Sequence, residues 1–140
     1  MRIIIRAVGK MRDRRLSSLC DEYAERVRRH LPMAIEEVED DEGLLRGLPL
    51  GTESLALEPG GEAWTTADFA RHLERNMVAG TRALVFLIGG ADGIGAATVR
   101  QAGRRLSLSP LTLPHRLARL VLCEQLYRAV SIIRGEPYHR

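Results

Sequence analysis

The chain has 140 residues, 45% hydrophobic and 28% charged, with a formal net charge of +3, which fits one domain, residues 1–140, able to bury its own core. No apolar run nears the ~20 residues of a membrane span, and the stretch Met1 to Ile5 returns to charge at Arg6 too early for a signal-peptide core, so the expectation is a soluble cytoplasmic protein with no membrane partner. Cys20 and Cys123 lack metal-ligand spacing and fall within helical patterns, which predicts reduced, packed thiols and no metal.

Arg2 to Val8 reads as a first strand and Arg14 to Arg29 as an amphipathic helix with Leu16, Leu19, Cys20, Tyr23 and Val27 on its apolar face. Met33 to Val38 alternates as a second strand and runs into an acidic stretch ending at Glu42. Ser54 to Leu57 is a third strand, closed by a turn at Pro59-Gly60-Gly61. Thr65 and Asp68 have the spacing of a capping box ahead of a helix carrying Phe69, Leu73 and Met77, which Gly80 ends. Ala83 to Ile88 is apolar without alternation, the pattern of a strand buried on both faces. This predicts an α/β fold with a parallel sheet covered by helices. The strand breaks into Gly89-Gly90-Ala91-Asp92-Gly93, where a backbone can turn sharply and approach a ligand beyond the carboxyl end of the sheet. Gly93 to Thr98 misses one glycine of the dinucleotide fingerprint, and no phosphate loop exists in the chain. A helix from Ala96 to Arg104 and a short strand from Arg105 to Leu108 follow.

The last helix, Pro114 to Arg134, is apolar around most of its circumference, from Leu117, Leu120, Val121, Leu122 and Cys123 to Leu126, Tyr127, Val130, Ile132 and Ile133. One small sheet cannot cover such a helix, so a second subunit, a homodimer, is expected. Glu124, Arg128 and Ser131 form its polar stripe, with Glu124 placed for an ion pair to Arg128. From Arg100 onward eight arginines face two acids, a balance that suggests a nucleic-acid partner. The final residues Tyr138, His139 and Arg140 bring a stacking ring, a titratable imidazole and a fixed cation together. A plain solvated tail is the alternative for them, and His30 and His72 receive no functional weight.

Five blocks stand in one order: Ile88-Gly89-Gly90-Ala91-Asp92-Gly93, Leu106-Ser107-Leu108-Ser109, Leu111-Thr112-Leu113-Pro114-His115, Glu124-Gln125-Leu126-Tyr127-Arg128-Ala129 and Gly135-Glu136-Pro137-Tyr138-His139-Arg140. With Ala7-Val8-Gly9-Lys10 near the start, the chain resembles the ribosomal RNA large subunit methyltransferase H family of the SPOUT superfamily nearly end to end. One departure is the short stretch from Asp40 to Glu53, where relatives usually carry a further helical segment.

The resemblance implies S-adenosylmethionine as cofactor, a carboxyl-terminal trefoil knot and a dimer whose sites need both subunits. It implies a cofactor pocket of Leu57, Gly89, Leu108, Ser109, Pro110, Leu111, Thr112 and Leu113, and methylation of N3 of a pseudouridine in 23S ribosomal RNA. An imide nitrogen must lose its proton, or its anion must be stabilised, before it attacks. In that scheme His139 accepts or relays the proton and Tyr138 stacks on or bonds to the base. Arg140 and Arg128 hold phosphate or the developing anion, Glu124 orients Arg128, and His115 either shapes the loop between cofactor and substrate or merely begins a helix. The rival reading is a non-catalytic RNA-binding module without cofactor affinity. A nucleotide hydrolase is disfavoured, because the chain has no phosphate loop or metal cluster.

Overall fold

The computed structural model describes residues 1–139. In chain order the elements are β1 (Arg2–Val8), α1 (Arg14–Arg28), β2 (Met33–Val38), α2 (Asp41–Leu45), β3 (Thr52–Ala63), α3 (Thr66–Ala79), β4 (Ala83–Ile88), α4 (Ala96–Gln101), β5 (Arg104–Ser107) and α5 (His115–Ile133), then a single 3₁₀ turn, Pro137–His139. The strands form one sheet in the order β2-β1-β4-β3-β5, parallel throughout. Every residue of β4 is buried, as its unbroken apolar sequence requires of a central strand.

The two sheet faces are covered unequally. Ile3, Ile5, Leu84 and Phe86 pack with Val27 of α1, Leu73 of α3 and Leu122 and Leu126 of α5. Ile4, Val85 and Leu87 form a smaller cluster with Leu44 of α2 and the half-buried Ile94 and Ala102 beside α4. Asp13 caps α1 by accepting from the backbone N–H groups of Arg15 and Leu16. Thr65 and Asp68 form the expected capping box, and Gly80 ends α3 at φ +77°.

Three expectations need correction, and one unassigned stretch proves to be helical. The third strand continues to Ala63, because Pro59-Gly60-Gly61 is a register shift within the pairing to β5 rather than a closing turn. Gly61 allows this: a Cβ there would lie 2.7 Å from the Arg105 carbonyl carbon. The acidic stretch turns into α2, capped by Asp40, whose side chain accepts from the Gly43 N–H. The helix expected to reach Arg104 stops at Gln101. Leu19 and Met77 are 41% and 38% exposed, so they lie at the margins of their helices' buried faces.

Candidate active site

β3 and β5 end side by side, and the chain leaving them encloses a cleft at the carboxyl edge of the sheet, where ligands of open α/β sheets bind. Its walls are Leu57, Glu58 and Pro59, then Ser107, Leu108, Ser109, Leu111 and Leu113, closed by Ala118 of α5. Its empty space is about 360 Å³, mouth included. The loop is held by two short local bonds: Ser107 Oγ donates to the Ser109 carbonyl, and Ser109 Oγ accepts from the Leu111 N–H, both at 2.9 Å. Leu111 is 76% exposed, a large apolar side chain waiting at the rim. Aliphatic walls with backbone donors and acceptors from an irregular loop fit an adenosine group.

Five of the eight residues assigned to the cofactor meet in this cleft: Leu57, Leu108, Ser109, Leu111 and Leu113. Pro110 and Thr112 belong to the same loop but are exposed outside its walls. Gly89 stands apart. It is buried, and a Cβ there would lie 2.3 Å from the Gly93 carbonyl carbon, so its missing side chain admits the chain's own returning loop. Glu58, held by Arg105 at 2.8 Å, adds a carboxylate that was not anticipated. Its position directly after Leu57 at the strand end was the available signal.

The tail is built from α5. Gly135, at φ +73°, turns the chain back, while its N–H bonds to the Ile132 carbonyl and that of Glu136 bonds to Ser131. Tyr138 then lies edge-on to Tyr127, with ring centres 4.6 Å apart. Its hydroxyl is 3.3 Å from Glu124 Oε1 and 3.5 Å from the Tyr23 hydroxyl. The Arg128 guanidinium sits 4.9 Å from the centre of the same ring and binds Glu124. Burial first, with the Glu124 carboxylate beside it, holds the Tyr138 phenol well above its usual pKa. The bond to Glu124 raises that of Arg128. His139 is exposed beside this cluster, and Arg140 lies outside the described residues. Ser131, expected on the polar stripe, is fully buried and donates to the Tyr127 carbonyl.

His115 opens α5, half-buried. Burial is the main cause that lowers its pKa, helped by the charges of Arg116 and Arg119. The tail folds back to the level of Glu124, about 9 Å of helix axis beyond Ala118 and about 120° around it. No described tail residue lines the cleft.

The basic half is less free than its composition suggests. Arg104, Arg105, Arg128 and Arg134 pair with acids. Arg119 is 4% exposed and binds Glu37 Oε2 at 2.8 Å and the Gly9 carbonyl at 3.3 Å. Cys20 and Cys123 are buried free thiols. Among the described residues there is no metal-binding cluster of His, Cys, Asp and Glu, and no helix long and apolar enough to cross a membrane.

The family described as "Predicted SPOUT methyltransferase" matches residues 1–139. Proteins named "Ribosomal RNA large subunit methyltransferase H" are similar over the full length. That of Sorangium cellulosum is 46% identical over 99% of both chains, and that of Gemmatimonas aurantiaca 39% identical over 100% of both. That of Rhodospirillum rubrum is 40% identical over 100% of this chain and 99% of its own. Among solved structures, a methylase family protein from Neisseria gonorrhoeae superposes with a TM-score of 0.58 at 14% identity, over 91% of this chain and 81% of that one. A second, from Haemophilus influenzae, gives 0.56 at 10% identity, over 99% and 70%. By its full-length match, this chain belongs to the ribosomal RNA large subunit methyltransferase H family of SPOUT methyltransferases.

Proposed function

We propose that this protein transfers a methyl group from S-adenosylmethionine to N3 of a pseudouridine in 23S ribosomal RNA. The observation that carries this reading is the full-length likeness to enzymes named for methylating large-subunit RNA, joined to an apolar cleft at the expected edge of the sheet. When bound, the cofactor supplies an electrophilic methyl for in-line displacement. Leu57, Leu108, Leu111 and Leu113 enclose its apolar parts and exclude water. Ser109 fixes the loop so that backbone groups of residues 108–113 can read its polar edge, and Pro110 and Thr112 shape that loop from outside. Gly89 serves indirectly, by letting the segment at Gly93 pack closely.

On the acceptor side, His139 takes the N3 proton. Tyr138 keeps its own proton, which suits it to donate or stack rather than act as a base. Arg128, fixed by Glu124, and Arg140 stabilise the anion or hold phosphate. Burial favours the neutral form of the His115 imidazole, which borders the cofactor loop.

Separation of cleft and tail within one chain supports a homodimer in which one subunit's tail serves its partner's cleft. The partly exposed stripe of α5, with Leu117 at 41% and half-buried Leu120, Val121 and Ile132, supplies an apolar seam for that contact. The trefoil knot belongs to the same proposal: the chain leaving β4 runs through α4 and returns beyond β3 to β5. Ribosomal RNA as substrate places the protein in the cytoplasm.

The test is transfer of labelled methyl to ribosomes lacking the modification, with mass spectrometry of the product nucleotide and equilibrium dialysis for the cofactor. Deleting Tyr138, His139 and Arg140 is expected to leave cofactor binding intact and to lower transfer by about 100-fold or more. Absence of cofactor affinity in the wild type would favour the RNA-binding module instead.

A further inference from the structure

We infer that α1 positions the terminal turn for reaction, with Tyr23 as a positioning residue that works through Tyr138 and Arg26 as its support. This rests on the proposed assignment of methyl transfer to the tail. Three tyrosines meet where α1, α5 and the turn converge: Tyr23 lies 6.3 Å from Tyr127, and Tyr127 lies 4.6 Å from Tyr138, between ring centres. Arg26, fixed to Glu22 at 2.6 Å, holds its guanidinium 5.2 Å from the Tyr23 ring centre and 5.5 Å from that of Tyr127.

The hydroxyls order themselves. A carboxylate only accepts, so the single proton of Tyr138 goes to Glu124, 3.3 Å away. The Tyr138 oxygen is then left to accept from Tyr23, 3.5 Å away, a long bond that aligns the ring rather than gripping it. Downstream of α1, His30 Nε2 lies 3.9 Å from Glu136 Oε1, a second point where this part of the chain meets the tail. Tyr23 lines no part of the cofactor cleft. A terminus without lateral ties frays. Here the ties reach the residue immediately before His139, so their loss displaces the imidazole while leaving the cofactor loop alone.

The test compares Tyr23→Phe, which removes only the hydroxyl, with Tyr23→Leu, which also removes the ring. In each variant of the full chain, four quantities are measured: the rate at which carboxypeptidase releases Tyr138, kcat, KM for unmodified ribosomes, and the cofactor dissociation constant. Tail release is expected to accelerate in both. The expected fall in kcat is about threefold for Tyr23→Phe and about 20-fold or more for Tyr23→Leu, with KM and cofactor affinity within about twofold, because misplacement of a reacting group by about 1 Å can cost up to about 100-fold. Wild-type kcat and tail release in Tyr23→Phe and Tyr23→Leu would overturn the inference. So would a lower kcat with unchanged tail release, or a cofactor affinity that falls in step with kcat. If the wild type methylates no ribosomal RNA, the functional proposal fails by itself, while tail release still decides whether Tyr23 orders the turn.

Discussion

Arg128 meets one oxygen of Glu124 with two nitrogens, Nε at 2.8 Å and Nη2 at 2.6 Å. The other carboxylate oxygen accepts from Gln125 at 2.8 Å, so both sides of the group are fixed. An exposed pair of this spacing stabilises a helix by only about 0.3–0.5 kcal/mol, and these side chains remain 29% and 20% exposed. Its value is therefore in orientation. Glu124→Gln should free Arg128 and loosen Tyr138 together, lowering single-turnover methyl transfer by about 100-fold, with stability changed by about 1 kcal/mol or less. Wild-type turnover in that variant would remove Glu124 from the site.

Leu111 offers a clean test of the cleft, since its side chain is 76% exposed and contributes little to the core. Leu111→Glu should weaken S-adenosylmethionine binding by about tenfold or more, as an apolar contact is replaced by a charge that resists desolvation, while the melting temperature stays unchanged. Calorimetric titration checks the first half and thermal denaturation the second. Unaltered affinity would put the cofactor elsewhere.

Gly89 and Gly90 are neighbours with opposite tolerances. A Cβ at Gly89 would lie 2.3 Å from backbone, whereas one at Gly90 meets nothing closer than Val8 Cγ1 at 3.5 Å. Gly89→Ala should destabilise by about 4 kcal/mol or more, or fail to fold, because backbone must move. Gly90→Ala should remain folded. Chemical denaturation of the pair decides this, and equal stabilities would contradict the packing of the 93–94 segment against Gly89.

His72 sets a pH limit. Its Nε2 lies 2.9 Å from Glu53, yet burial outweighs that carboxylate and lowers its pKa. His115 is lowered too, mainly by burial. In the unfolded chain each imidazole titrates near ~6.5, so as pH falls through that value the unfolded state takes up protons before the folded one does. Stability is full above that value and declines below it. The melting temperature should fall between pH 7.5 and 5.5, with measurable proton uptake on unfolding near pH 6. A flat profile over that interval would refute the assignment.

Periodicity carried the sheet well. β4 has no polar residue, which fixes burial on both faces, and Thr65 with Asp68 marks the start of α3 without ambiguity. Five of the residues that the family resemblance names line one cleft, four of them because they are neighbours in a single loop. Other features depend on distance rather than order. Glu58 joins the cleft only because β5 docks on β3, and Tyr23, which reads as one more apolar-face residue of α1, reaches the tail across 115 positions of chain. Arg119 looks like surface charge in composition and proves to be interior, because its partners, Gly9 and Glu37, are far away in sequence. In sequence Gly89 reads as a place where backbone approaches the cofactor. What approaches it is the chain's own backbone.

The placement of β4 between β1 and β3 governs how this molecule must be made. β1 and β2 can pair early, but β3 has no neighbour in the sheet until β4 and β5 exist. Translation adds about 5–20 residues per second, so for several seconds the nascent chain carries strand edges with unpaired N–H and C=O groups, the kind of surface on which other chains aggregate. When Ala83 to Ile88 arrive, one insertion covers the facing edges of β1 and β3 together, and β5 later covers the outer edge of β3. A polar substitution among these six buried residues should therefore lower soluble yield.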